Sequence, residues 1–294
     1  MTGFTAEWLN LREAADHRAR NLVVADALRS WFLQRETISV VDLGCGTGSN
    51  LRATAALLPD TQHWTLVDHD AALLTAARIA LSRWAEKSTD DGDRLLLVKG
   101  RAKITVAFRC ADLAAGIGSA LGPAPGPDLV TASALFDLTS PAFIRRFASE
   151  VAKRRAVFFT VLTYNGHQSW IPRHPADRQI TAAFHRHQMT DKGFGISAGP
   201  TAPVELSEAF TARGYSVSEG NSPWRLKAGD AGLISELARG TAAAAGETGA
   251  LSEREIETWL ARVHTAADVG HTDTLAIPGS ASDMDMGRES DEIE

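Results

Sequence analysis

VVDLGCGTGSN, at residues 40–50, joins an apolar segment ending in an acid to a loop in which glycine alternates with other residues. The run ISVVDL, at residues 38–43, is short and apolar, which is typical of a strand buried on both faces of a sheet. Gly44, Gly46 and Gly48 allow tight turning and let a ligand approach the backbone without a Cβ in the way. The segment therefore predicts a ligand site directly after a buried strand.

Strand-like and helix-like segments alternate on the carboxyl side of this loop. HWTLVDHD at 63–70 and DLVTASALFDL at 128–138 are typical of buried strands, and AALLTAARIALSRWAEK at 71–87 has helical periodicity. Alternation over about residues 38–165 predicts an α/β fold, a Rossmann-like, doubly wound and mostly parallel sheet with helices on both faces. Ligands of such sheets bind beyond the carboxyl ends of the strands, where the strand order reverses.

The remaining segments predict additions to this core. Residues 1–36 are expected to form a helical cap, and residues 37–279 the main domain, with an inserted lid segment at 166–202. The tail at 280–294 is acidic and poor in apolar residues, so we expect it to be disordered.

Composition narrows the function. The 294 residues carry a net charge of −6 without a dense basic stripe, which disfavours a nucleic-acid partner. No apolar run approaches the ~20 residues that cross a membrane. Two cysteines, Cys45 and Cys110, cannot form a disulfide framework or a cysteine zinc site, so a reducing, cytoplasmic location is expected. The expected partner is a small molecule, and the oligomeric state stays open.

Two familiar phosphate-binding loops fit poorly. A Walker loop needs Lys-Ser/Thr after its last glycine, and this chain has Ser49-Asn50 there, which excludes it. A dinucleotide fingerprint needs G-x-G-x-x-G, whereas Ser49 occupies the position of the third glycine. The dinucleotide interpretation is weakened by that residue but stays open.

The segment resembles motif I of the class I S-adenosylmethionine-dependent methyltransferases, an acid followed by G-x-G-x-G, and the resemblance covers roughly residues 38–165. It also includes Asp68, which ends the second strand, and Asp112 after the next strand region. The resemblance implies that Asp68 accepts the ribose hydroxyls and Asp112 the adenine amino group. The cofactor-binding residues it implies are Asp42, Gly44, Cys45, Gly46, Gly48, Asp68, His69, Asp112, Leu113 and Ser133.

The chemistry of these residue types agrees with that cofactor. An adenosyl sulfonium has no phosphate and so requires no lysine in the loop, and a ribose diol is well matched by a carboxylate, which only accepts hydrogen bonds. Asp68 lies about twenty residues beyond the loop, a spacing that also fits NAD. Asp112 and the missing third glycine favour the sulfonium. The competing structural interpretation is a glycine turn whose acids merely cap strand ends, and in both cases Cys45 is a small loop filler rather than a nucleophile.

The candidate catalytic residues are Asp137, Tyr164 and His167, because they follow the fourth and fifth predicted strands. Phe136 and Leu138 are expected to pack in the core instead. A bland turn around Asn165-Gly166 is an equal alternative for the second group.

In the segment 166–195 basic residues outnumber acidic ones, whereas the chain as a whole is acidic. The segment carries basic residues against only Asp177 and Asp191, which predicts either a lid over an anionic substrate or a solvated helix face. His185 and His187 lie two residues apart and do not share a helix face, which disfavours a metal site. The sequence thus predicts methyl transfer from S-adenosylmethionine to an O or N atom of a small metabolite, and an anionic metabolite is one of the substrates it allows. The alternatives are an NAD(P)-binding oxidoreductase and a non-catalytic scaffold domain.

Overall fold

The computed structural model describes residues 4–123 and 125–279. The predicted disordered tail, 280–294, lies outside these residues. The chain begins with two helices, α1 (Ala6–Ala19) and α2 (Leu22–Phe32), which Thr5 and Asn21 cap through their side chains. Within the described ranges, no helix combines the length and apolar character that crossing a membrane requires.

Strands and helices alternate along the rest of the chain. They are β1 (Thr37–Leu43), α3 (Ser49–Thr54), β2 (Thr61–Asp68), α4 (Ala71–Trp84), β3 (Lys87–Asp90), β4 (Arg94–Lys99), β5 (Ala102–Cys110), α5 (Leu113–Ala120), β6 (Leu129–Ser133), α6 (Pro141–Lys153), β7 (Val157–Ile171), α7 (Asp177–Gln188), α8 (Ala202–Thr211), β8 (Tyr215–Asn221), β9 (Trp224–Leu226), α9 (Ala231–Glu247), α10 (Glu253–Leu260) and β10 (Ala266–Pro278).

The strands form one sheet in the order β3-β4-β5-β2-β1-β6-β7-β10-β8, and β9 pairs with β10. The central strands β5, β2, β1, β6 and β7 are parallel, whereas β10 lies antiparallel between β7 and β8. From β1 the chain continues to β2, then to the edge strand β3 and back through β4 to β5, and it crosses from there to β6 on the other side of β1. The strand order therefore reverses between β1 and β6. The doubly wound, mostly parallel prediction is confirmed, and the switch point follows the glycine loop.

Both faces of the sheet are covered. One face carries a cluster of aromatic rings with Phe136, Phe147, Phe158 and Phe210 fully buried, and the Phe158 and Phe210 centroids are 4.7 Å apart. Because such rings bury large apolar areas, this cluster anchors α6 and α8 to the sheet. The core position predicted for Phe136 is confirmed, and Leu138 is half-buried.

The structure departs from the sequence prediction at two strands. The residues of β3 are all exposed and polar, so no apolar pattern indicates it, and it pairs with β4 alone. β7 continues through Asn165 and Gly166 to Ile171, because β10 pairs with it as far as Ala266 opposite Ile171. The bland turn considered at Asn165-Gly166 is therefore wrong, and the segment predicted as an insertion begins as a continuation of this strand.

Candidate active site

The glycine loop links β1 to α3 in a left-handed backbone conformation. Gly44, Gly46 and Gly48 have φ of +61°, +52° and +77°, values that residues with a Cβ rarely adopt. A Cβ added at Gly46 would lie 2.8 Å from Cδ1 of Leu9 in α1, and one at Gly44 would lie 3.3 Å from Leu135. The loop requires glycine both for its conformation and for the close approach of the segments that cover it.

Asp68 ties the end of β2 to this loop. Its Oδ2 accepts a hydrogen bond of 2.9 Å from the Gly46 backbone N–H, and its Oδ1 accepts one of 3.0 Å from Asp70 N–H. The exposed His69 places Nδ1 3.3 Å from the same Oδ1. Asp68 is only 4% exposed. A carboxylate has about four lone-pair sites, so Asp68 can still accept further hydrogen bonds from hydroxyl groups.

Asp112 lies at the neighbouring strand end. Asp68 is paired with Cys110 across β2 and β5, and the carbonyl of Asp68 accepts a 2.9 Å hydrogen bond from Ala111 N–H. Asp112 is exposed, and its Oδ1 caps α5 by accepting from Ala114 N–H at 2.8 Å, whereas Leu113 is buried. The structure therefore brings both predicted acids to one edge of the sheet, and Asp112 also performs the capping role of the competing interpretation.

Asp42 lies under the loop and is completely buried. Its Oδ1 accepts a 2.7 Å hydrogen bond from Asn50 Nδ2, and its Oδ2 has no partner within the described part of the chain. Burial raises the pKa of Asp42 to about 7, against the opposing effects of Asn50 and Arg20. Burial also raises the pKa of the Cys45 thiol well above its usual value, so the thiol stays protonated, as a loop filler requires.

Helix α1 lies over the loop and the beginning of α3. His17 Nε2 is 3.0 Å from Ser49 Oγ, and Arg52 makes two hydrogen bonds of 2.7 Å to Glu13. In dinucleotide sites a pyrophosphate occupies the helix terminus after the loop. Here α1 covers that terminus, and the nearby Arg52 is already paired, which disfavours a pyrophosphate at this position.

The residues around Asp137 form a second part of the site, which we call the polar chamber: Asp137, Tyr164, His185 and Gln188. Asp137 Oδ2 accepts a 2.9 Å hydrogen bond from Gln188 Nε2, and the Tyr164 hydroxyl lies 2.8 Å from His185 Nε2. Burial raises the pKa of Asp137 to about 6, opposed by Arg12 and Gln188 among other groups. The backbone of Tyr164 also lies within hydrogen-bonding reach of Asp137, so the two pairs are neighbours. The catalytic roles of Asp137 and Tyr164 stay predictions.

Two other predicted site residues take different places. Ser133 ends β6 and is half-buried beside the loop that leads to Asp137. His167 is exposed, and its backbone N–H donates a 3.3 Å hydrogen bond to Asn165 Oδ1. The hydrogen bonds of the described residues do not connect His167 to the polar chamber. The catalytic role of His167 stays a prediction.

The site also contains residues that no sequence pattern assigned to it: Arg12, His185, Gln188 and His271. Arg12 pairs with Asp16 at 2.9 Å and lies 5.0 Å above the Trp224 ring, which in turn is 5.3 Å from His271. Burial lowers the pKa of His271 to about 3, helped by the charge of Arg12, so His271 is neutral near pH 7. These residues come from α1, α7 and β10, and no local pattern in the sequence indicates their meeting.

The arginines of the segment predicted as a lid face outward. Arg173, Arg178 and Arg186 are exposed, and His187 Nε2 lies 3.0 Å from Glu247 Oε2. His185 and His187 thus have different partners. The exposure of the arginines gives the prediction of an anionic substrate no added support.

Comparison with solved structures shows the fold. The chain is similar to the YcgJ protein of Bacillus subtilis, at 13% identity and a TM-score of 0.50 over 89% of this chain and 100% of that one. It is similar to a cyclopropane-fatty-acyl-phospholipid synthase-like protein of Lactobacillus casei, at 14% identity and a TM-score of 0.51 over 91% and 92%. A candidate methyltransferase of Bacillus halodurans matches at 10% identity and a TM-score of 0.50 over 87% and 99%.

No protein-family model matches the sequence, and no curated protein does. At these identities the structural similarity concerns the fold alone. The chain has the Rossmann-like fold of the class I methyltransferases, as the resemblance of its glycine loop implied.

Proposed function

We propose that the chain transfers a methyl group from S-adenosylmethionine to an O or N atom of a small molecule. The observation that carries this proposal is the hydrogen bond between Gly46 and Asp68, which joins a left-handed glycine loop to a carboxylate at the next strand end. Such a pair can hold an amino-acid moiety against the loop and a ribose diol against the carboxylate.

The residues fit the proposed cofactor. Asp112 stands at the strand end beside Asp68, where the adenine would extend, and the backbone at Gly44 and Gly46 leaves no Cβ between a ligand and the loop. The group, when bound, would supply an activated methyl and a sulfur leaving group. What the chain provides is alignment of an acceptor with that methyl in a space that excludes water.

The polar chamber supports the type of acceptor. Asp137 Oδ1 and Gln188 Oε1 are buried hydrogen-bond acceptors that have no partner among the described residues. Buried acceptors without partners are costly, so they favour a ligand that brings O–H or N–H donors. A hydroxyl or amine compound fits this requirement better than a purely anionic one.

Calorimetry with S-adenosylhomocysteine and with NAD tests the cofactor. We expect binding of the former, and tight binding of NAD instead would overturn the proposal. Incubation with a donor carrying a labelled methyl group and a fractionated metabolite extract tests the reaction. Transfer of label to a small molecule is expected. Cofactor binding without transfer to any fraction would favour the non-catalytic scaffold.

A further inference from the structure

A tyrosine and a histidine from separate elements form a close pair in the polar chamber. Tyr164 belongs to β7 and His185 to α7, and the hydroxyl oxygen lies 2.8 Å from Nε2. Tyr164 is 5% exposed, and its ring is edge-on to Phe184, with centroids 5.9 Å apart. The surrounding contacts therefore hold the phenol and the imidazole in fixed relative positions.

The protonation states of the pair follow from burial. Burial raises the pKa of Tyr164, and the negative charge of Asp137 adds to the effect, so the phenol keeps its proton. Burial lowers the pKa of His185, opposed by a hydrogen bond with the backbone of Gly166, so the imidazole is neutral near pH 7. A neutral imidazole has one donor and one acceptor nitrogen. When its proton is on Nδ1, Nε2 accepts a hydrogen bond from the Tyr164 hydroxyl.

Among the described residues, the hydrogen-bond partner of the Tyr164 hydroxyl is His185 Nε2, so the hydroxyl oxygen keeps a lone pair that can accept a ligand's proton. An ionised Asp137 and the Gln188 amide oxygen can only accept hydrogen bonds, so neither supplies a proton to the phenol. His271, at a centroid distance of 6.3 Å from Tyr164, is neutral, and Arg12 is paired with Asp16. The acceptor's own O–H or N–H is therefore the donor that completes this arrangement.

We propose that Tyr164 takes the proton of the methyl acceptor while its own hydroxyl proton passes to Nε2 of His185. This step rests on the proposed function. The acceptor atom uses a lone pair to form a bond to the methyl carbon as the carbon–sulfur bond breaks. The electron pair of the broken bond leaves with sulfur. The positive charge moves to the imidazolium of His185, which then loses its proton to water. Tyr164 touches the acceptor and is the catalytic residue, whereas His185 acts through Tyr164.

A measurement that needs no acceptor tests the pair itself. In ¹⁵N-labelled full-length protein, the imidazole nitrogen shifts should show His185 with its proton on Nδ1 at pH 7. In Tyr164→Phe the His185 pKa should shift, because Nε2 loses its hydrogen bond, whereas in His187→Gln, on the same helix, it should not. A proton on Nε2, or a His185 titration that Tyr164→Phe leaves unchanged, overturns the relay whether or not the chain is a methyltransferase.

Activity separates proton transfer from packing. With the acceptor found in the labelled extract, His185→Gln should lower kcat about 100-fold or more while S-adenosylhomocysteine affinity is unchanged, since general acid–base steps contribute roughly 10²–10⁴-fold. Glutamine can still form a hydrogen bond with the phenol, so a purely structural role of His185 predicts a near-normal kcat in this variant. A near-normal kcat would overturn the proposal. His187→Gln is the matched control, with kcat expected to be unchanged.

The pH profile adds a second signature. In the wild type, kcat should fall as pH drops through the His185 pKa, because imidazolium cannot accept a proton, and this limb should be absent in His185→Gln. Asp137 also titrates in the chamber, so Asp137→Asn is measured beside it, and the His185 limb should persist there. A limb that disappears only in Asp137→Asn contradicts the relay. If the wild type does not bind the cofactor, the proposed function is overturned. The position of the His185 proton then still tests the Tyr164–His185 pair.

Discussion

Oδ2 of Asp68 accepts the backbone N–H of Gly46 at 2.9 Å, so the carboxylate at the end of β2 holds the middle of the glycine loop. One side chain therefore combines two tasks. It positions the loop, and under the proposed function it also accepts the ribose hydroxyls. Changes at Asp68 should consequently affect cofactor affinity more than the loss of a single ligand contact would.

Asp68→Ala should weaken S-adenosylhomocysteine binding by about 100-fold or more, since each of the two ribose hydrogen bonds to the carboxylate is worth about 1.5–3 kcal/mol. Calorimetry measures this directly. The control is Asp93→Ala, an exposed acid far along the chain, which should bind normally. Equal affinities in the two variants would remove Asp68 from the cofactor site.

Gly46→Ala should destabilise the fold for two separable reasons. The left-handed φ of +52° costs about 1–2 kcal/mol for an L residue, and the new Cβ would lie 2.8 Å from Leu9. Gly100→Ala is the matched control because Gly100 has φ of +57° and no heavy atom within 4 Å of its added Cβ. Urea unfolding should show a larger loss for Gly46→Ala, and the Leu9→Ala background should remove the excess. An equal loss in both glycine variants would mean that α1 does not press on the loop.

Asp42 should make stability depend on pH. Its pKa of about 7 in the folded chain exceeds the value of about 3.9 in an unfolded one, so the folded state binds the proton more tightly. Stability therefore falls as pH rises from about 4 to about 7 and levels off above that. Asp42→Asn keeps an oxygen for Asn50 and removes the titration, so its stability relative to wild type should improve over this range in urea unfolding.

Asp137, with a pKa of about 6, contributes in the same direction, so Asp42→Asn should flatten the dependence only in part. Asp93→Asn provides the exposed comparison and should follow the wild-type curve. Parallel curves for wild type and Asp42→Asn would show that Asp42 is ionised throughout.

The buried ion pair of α1 should matter far more than a surface pair of similar spacing. Asp16 accepts hydrogen bonds from Arg12 and from Trp224 Nε1, the latter at 3.0 Å. Asp16→Ala leaves Arg12 buried and unpaired and should cost about 3–5 kcal/mol, with faster hydrogen exchange along α1. Asp26→Ala breaks only the exposed Asp26–Arg29 pair and should cost under about 1 kcal/mol. Similar losses would show that α1 is not anchored through Asp16.

The local part of the site was predictable and the rest was not. Gly44 to Gly48, Asp68 and Asp112 each follow a strand directly, so short-range patterns indicate them and the parallel order predicts their meeting. The chamber depends on His185 and Gln188, which a helix of mixed charge turns inward, and β10 brings His271 beside it, opposite Tyr164. Contacts between residues so distant in the chain depend on tertiary packing, which periodicity does not report. His185 lies in the basic segment 166–195, which was predicted as a lid, and that prediction did not indicate its contact with Tyr164.

The position of β10 has a consequence for synthesis. This strand comes late in the chain, yet it fills the gap between β7 and β8, which are made earlier. Until residues 266–278 leave the ribosome, β7 therefore presents an open edge of backbone donors and acceptors, the kind of edge that recruits stray strands. The nascent polypeptide should be most prone to aggregation in that interval and should gain protection only when β10 is inserted.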